Sequence, residues 1–191
     1  MSRATRDGPL LRLEESAAPY GRTPLSDPLV TVANLANPKR SRAVLMNGND
    51  VRHLGIHTYD RWTAMWNGDL DLAAKIMAPE FVLRYAQAGT EAFDDVRTPQ
   101  QLADIIAAWH RERRGLRFAA EGAAVVDLAL VDGAPTGLVA RPYLASYLAS
   151  GTGEDARTVA RSGTDTLRIT NGLISEVWSV SSGSAGRTFY R

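Results

Sequence analysis

From about residue 47 onward, the spacing of apolar side chains shifts from a helical period to an alternating one. Over residues 51–66, Leu54, Tyr59, Trp62, Met65 and Trp66 fall on one helical face. Asn67-Gly68 ends that helix, and Asp69 is placed to cap a second, short one through Ala73, Ile76 and Met77, which Pro79 stops. Residues 81–87 then read as a strand, with Phe81, Leu83 and Tyr85 alternating against Val82 and Arg84. Thr98-Pro99-Gln100-Gln101 is a helix start with a Thr cap, Pro at the first helical position and Gln three residues after the cap. The helix it opens buries Leu102, Ile105, Ile106 and Trp109, and runs into Arg111-Glu112-Arg113-Arg114 before Gly115.

Beyond Gly115 the pattern is one of strands and turns. Strands are expected at residues 116–120, 123–131, 137–149, 157–170 and 173–180, with a loop at 150–156. Asp132-Gly133 and Asn171-Gly172 are hairpin turns, the second a type I′ candidate. Pro142, between Arg141 and Tyr143, suggests an edge or a bulge in its strand. Helices followed by an antiparallel meander make an α+β fold, with three helices packed on one face of a curved sheet and a concave pocket between the layers.

The first 45 residues obey neither period. Five of the nine prolines (Pro9, Pro19, Pro24, Pro28 and Pro38) lie there, so this stretch reads as a separate N-terminal arm, and residues 46–191 as the domain. Leu25, Leu29, Val30, Val32 and Leu35 leave open whether the arm is flexible or packs on its own or a neighbouring subunit.

Composition narrows the chemistry. Lys and Arg total 22 against 21 Asp and Glu, a net charge of +1, which points to neither nucleic acid nor an anionic membrane. With no Cys, thiol nucleophiles, disulfides and metal–thiolate centres are excluded. The three His (His53, His57 and His110) show no ligand spacing; His57 and His110 read as surface or interface residues, and no metal or other cofactor is expected. No apolar run approaches the roughly 20 residues of a membrane span, and the N-terminus lacks a signal-peptide core, so a cytoplasmic protein is expected.

The segments Tyr59-Asp60-Arg61-Trp62, Trp66-Asn67-Gly68-Asp69-Leu70-Asp71 and Ile76-Met77-Ala78-Pro79-Glu80-Phe81-Val82 carry a family resemblance, as do residues 162–169 and 171–178. In their order and spacing over residues 50–182 the chain resembles the nuclear-transport-factor-two-like superfamily, in its SnoaL-like polyketide-cyclase and ketosteroid-isomerase-like branches. The resemblance implies a cone-shaped α+β half-barrel, a hydrophobic pocket holding a small apolar molecule, and a homodimer. It also shows what has been replaced. The position of the isomerases' Asp base is Tyr85, their helix-one Tyr falls on Trp62, and their second oxyanion donor falls on Asp165. The His and Asp that SnoaL-like cyclases carry around the last-strand tryptophan are Val177 and Ser179, and Ser179 also stands where the epoxide hydrolases of this fold keep an Asp.

Asp165 is the candidate acid or base, because a carboxylate in an apolar pocket should have a raised pKa. The plainer reading is that it pairs with Arg161, which shares its strand parity, or caps backbone donors. Tyr85 is the second candidate catalytic residue, and Trp62, Trp66, Trp109, Arg161, Val177 and Ser179 are candidate substrate contacts. Two functions follow: a cofactor-independent cyclase, isomerase or dehydratase acting on a small apolar carbonyl or cyclic substrate, or a non-catalytic ligand-binding or interface protein of the same fold.

Overall fold

Helix α1, Gly48–Trp66, lies across the inner face of a six-stranded sheet and buries Tyr59, Trp62, Met65 and Trp66. Gly55 lets it approach closely: a Cβ there would stand 2.7 Å from Val126 and 3.1 Å from Val139. The computed structural model describes residues 48–87, 89–149, 157–183 and 186–190, so the expected arm 1–45 and loop 150–156 lie outside the described residues.

After α1 the chain makes a 3-10 turn, Leu70–Leu72, and the one-turn helix α2, Ala73–Ile76. Asp69 precedes the turn but its side chain makes no capping hydrogen bond. The expectation that Met77 is helical and Pro79 a helix stop is corrected: Met77 already has extended geometry and opens strand β1, Met77–Tyr85. Pro79 falls where the register of β1 slips between Met77 and Val82, and such a bulge tolerates a residue that cannot donate to the ladder. Helix α3, Pro99–Glu112, begins as read: the Thr98 hydroxyl accepts from the Gln101 backbone N–H while the Gln101 side chain accepts from the Thr98 N–H. It buries Leu102, Ala103 and Ile106, with Ile105 and Trp109 partly covered.

The remaining strands are β2 (Arg117–Ala120), β3 (Val125–Val131), β4 (Ala134–Leu148), β5 (Thr158–Thr170) and β6 (Leu173–Ser181). The sheet order is β1-β6-β5-β4-β2, with β3 also on β4. Among the described residues, β1 and β6 run parallel and the other pairs are antiparallel. Both expected hairpins form on left-handed residues, Asp132 (φ 51°) with Gly133 (φ 80°) and Asn171 (φ 52°) with Gly172 (φ 81°).

Pro142 lies inside β4, not on an edge strand. β3 pairs with β4 up to Ala140 and β2 pairs with it from Tyr143, so Pro142 sits opposite the break between them. Its carbonyl accepts from Glu121 N–H on that side, so its missing N–H faces the break and costs no bond to β5. The result is an α+β fold: three helices on one face of an open, mixed, six-stranded half-barrel, with the core between the layers. Among the described residues no helix is long and apolar enough to cross a membrane.

Candidate active site

Strand register builds the site. Tyr85 of β1 pairs with Ser179 of β6, Ser179 with Asp165 of β5, and Asp165 with Arg141 of β4. Side chains opposite one another share a face, so these four form one row across the inner side of the half-barrel. Period two along β5 adds Gly163 and Arg161 to the same face, and along β4 it adds Tyr143, Ala145 and Tyr147. From above, α1 brings Trp62 and Trp66, four residues apart on its buried side.

These elements enclose a cavity of about 230 Å³. Its wall includes Trp66, Tyr85, Trp109, Phe118, Tyr143 and Tyr147, with Asp165, Arg161 and Arg113 as its charged members. The aromatic side chains are packed against one another. Trp66 contacts Trp109 and Phe118 with centroids 5.6 and 5.0 Å apart, and Tyr85 stacks on Phe93 at 4.4 Å. A second, much smaller space of about 10 Å³ lies between α1 and the sheet, touched by Trp62, Tyr143 and Asp165.

Two braces hold the aromatic wall. The Asn67 side chain pairs with β2 like a strand, donating to Phe118 O and accepting from Phe118 N–H, both at 2.8 Å. The ring Nε2 of His110 lies 2.8 Å from the carbonyl oxygen of Trp66 and ties α3 to the end of α1. His110 is therefore a structural contact between helices, while His53 and His57 are exposed on α1.

Asp165 is only 6 % exposed. Its Oδ2 accepts a 2.8 Å hydrogen bond from Trp62 Nε1–H, and its Oδ1 is buried without a partner. Burial lifts its pKa from 3.8 to about 6, opposed by the neighbouring Ser179 hydroxyl and by the Trp62 bond. Ser179 Oγ lies close enough to favour the charged carboxylate but makes no well-formed hydrogen bond, being itself buried and unpartnered. Burial first, then the Asp165 charge, pushes the phenols of Tyr59, Tyr85 and Tyr143 well above 10, so all three are neutral donors. Tyr59 is committed to Arg141 O at 2.8 Å. Tyr85 and Tyr143 line the cavity, each with Ser179 and Asp165 close by.

The structure thus gathers Asp165, Tyr85, Trp66, Trp109 and Arg161 around one cavity, with Trp62 and Ser179 in contact behind Asp165. Val177 is different. It is fully buried, registered with Leu83 and Leu167, and belongs to the core rather than the cavity wall. No ion pair joins Asp165 to Arg161; the Arg161 Nη1 donates instead to Ala160 O at 2.8 Å. The sequence reading does not assign Phe118, Tyr147 or Arg113 to the cavity; the alternation Tyr143–Ala145–Tyr147 is a usable signal for Tyr147. Among the described residues, no group of three or more His, Asp or Glu is placed to hold a metal ion.

Neither a scan of protein-family models nor a search of curated proteins found a match to this chain. Solved structures do match. The chain is similar to TsrD from Streptomyces laurentii, with a TM-score of 0.50 and 16 % identity over 68 % of this chain and 89 % of that one. A candidate SnoaL-like polyketide cyclase from Jannaschia sp. CCS1 gives a TM-score of 0.51 and 14 % identity over 71 % and 90 %. PrhC from Penicillium brasilianum gives 0.51 and 14 % over 69 % and 82 %. At these identities the likeness is one of fold: the described domain has the α+β half-barrel fold of these structures.

Proposed function

We propose that the cavity binds a small, largely apolar molecule bearing a carbonyl group, and that Asp165 moves a proton on it. The observation that carries this reading is a single buried carboxylate on the cavity wall, with a pKa near 6 and two neutral phenols beside it. A group that titrates near neutrality can both take and return a proton at working pH. The step is balanced without a co-reactant. Asp165 removes a proton from carbon next to the carbonyl, and the C–H electron pair forms an enolate. Tyr85 or Tyr143 donates a hydrogen bond to its oxygen. Asp165 then returns the proton to a different carbon, giving an isomer, or to a departing hydroxyl, giving water and an alkene. A cyclisation is the same opening step followed by attack of the enolate carbon on a second carbonyl, whose oxygen takes the proton.

A non-catalytic binding site is the second reading, favoured by Tyr85, Val177 and Ser179 standing where catalytic residues of similar proteins are expected. One experiment separates the two. Cyclic β,γ-unsaturated ketones are screened for binding by quenching of tryptophan fluorescence, and bound ketones are incubated in D₂O with the wild type and Asp165→Asn. Deuterium incorporation or conjugation that needs Asp165 supports catalysis. Saturable binding with equal rates in both proteins leaves the binding reading standing and removes the catalytic one.

A further inference from the structure

We infer that the open edge of strand β3 takes a second copy of this chain, the two β3 strands pairing antiparallel about Leu128 into one continuous sheet. No β3 residue lines the cavity, so the inference does not rest on the proposed function. Backbone direction comes first. Val131 and Ala134 flank the two-residue turn Asp132-Gly133, and in such a hairpin the flanking residues hydrogen-bond to each other. Alternation then commits the N–H and C=O groups of Ala129, Asp127 and Val125 to β4, and turns those of Leu130, Leu128 and Val126 away from it. Pro135 agrees with this phase. It is registered with Leu130, has no N–H to give, and its carbonyl accepts from Gly172 N–H on its far side at 2.8 Å. Among the described residues no strand pairs with the outer edge of β3, whose one charged residue is Asp127. An apolar edge so little guarded by charge is a template for another strand.

The side chains fix which strand and in what register. Val126 and Leu128 pack partly against the core, while Val125, Asp127, Ala129 and Val131 are exposed. Val125 is the most exposed large apolar side chain among the described residues, at 69 %, and Val131 is 49 % exposed. When the outward backbone groups of two copies pair, Leu128 faces its own symmetry mate and Val126 faces Leu130. In that register Val125 stands opposite the other copy's Val131, in a non-hydrogen-bonded pair where side chains lie closest. Asp127 falls opposite Ala129, so the two like charges do not meet. One step beyond, Asp132 falls opposite Ala124, whose carbonyl oxygen accepts from Arg52 Nη2 at 3.4 Å. An exposed carboxylate of one copy thus meets an exposed guanidinium of the other at both ends of the ladder. Sliding the strands by two residues loses this match. One direction sets Asp127 against Asp127, and the other sets it against Val131.

Sedimentation equilibrium of the full chain at pH 7.5 and low salt should show a reversible dimer that dissociates at micromolar concentrations, as small interfaces do. Val125→Lys should weaken it about tenfold or more, and so should Val131→Glu, because each sets an unpaired charge against a valine at both ends. The double variant should recover most of that loss, since each introduced ammonium then faces an introduced carboxylate. Both positions are exposed, and circular dichroism checks that the variants fold. The chain has no Cys, so disulfide trapping gives a second reading. Val125→Cys and Val131→Cys proteins should cross-link quickly when mixed and slowly when each is alone, because Cα atoms about 4.5 Å apart suit a disulfide. A monomer at about 200 µM overturns the inference. So does a dimer indifferent to both charge variants, a double variant as weak as the single ones, or trapping that does not need mixing.

Discussion

Trp62 and Asp165, 103 residues apart in sequence, meet at a 2.8 Å hydrogen bond in the buried centre of the domain. The indole Nε1–H is a donor that cannot ionise, so it holds the carboxylate without neutralising it, as an arginine would. Burial lifts the Asp165 pKa to about 6, and the Ser179 hydroxyl and the Trp62 bond offset only part of that rise.

Replacing Trp62 with Phe removes this donor and leaves both carboxylate oxygens unpartnered. The Asp165 pKa should rise further above 6, and stability at pH 8 should fall by about 1–3 kcal/mol. The ionised form carries the penalty, so the difference between variant and wild type should grow as pH passes upward through about 6. Urea unfolding at pH 5 and pH 8 tests this; a gap independent of pH would assign the loss to packing alone.

Asp165→Asn should make the protein more stable at alkaline pH. The folded pKa of about 6 exceeds the ordinary 3.8, so the folded state binds more protons between those values and loses stability as pH rises through the window. The full penalty above pH 6 corresponds to at most about 3 kcal/mol, a ceiling lowered by whatever bonds Asn loses. Taking the difference between variant and wild type at pH 4 and pH 8 cancels the titration of other groups. In an active protein, the wild-type rate should climb with pH through about 6, and Asp165→Asn should abolish the activity.

Gly163→Ala should drive the Tyr143 ring off β5 and into the cavity. The clash lies with ring carbons at 2.4–2.8 Å, and the backbone of Gly163 needs no left-handed geometry, so the cost is steric. A destabilisation of about 1–3 kcal/mol is expected. In a Tyr143→Ala background the same substitution should cost far less, and a double-mutant cycle that shows no coupling would reject the contact.

Asn67→Asp keeps the acceptor for Phe118 N–H but replaces the donor to Phe118 O with a negatively charged oxygen. The loss should be about 1 kcal/mol or more in denaturant unfolding, because one good hydrogen bond becomes a repulsion. Hydrogen exchange at Phe118 should quicken in the variant, and an unchanged rate would show that β2 does not depend on this brace.

Much of this architecture is legible locally. The Thr98–Gln101 capping box and the left-handed Asn171-Gly172 and Asp132-Gly133 turns depend on residues within a few positions of each other, and they form as read. The alternation that turns Asp165 and Arg161 to one face is equally local. Pro79 misled because a bulge and a helix stop make the same local demand, a backbone N–H that nothing needs, and only pairing with β6 distinguishes them. Val177 misled because parity gives a face but not a depth: the face of β6 that carries Ser179 beside Asp165 also carries Val177 into the core.

The sequence by itself determined the order and type of the elements, the inward face of each strand, and the presence of one acidic residue on β5. The tertiary structure alone decided that Asp165 meets an indole rather than Arg161, and that Tyr143 takes the space a glycine leaves open. It also decided that the guanidinium groups of Arg113, just after α3, and Arg161 of β5 share one cavity with that carboxylate. The physical reason is range. Propensity, capping and alternation act over a few residues, whereas desolvation, and hence the pKa of Asp165, depends on every chain segment packed around it, from α1 to β6.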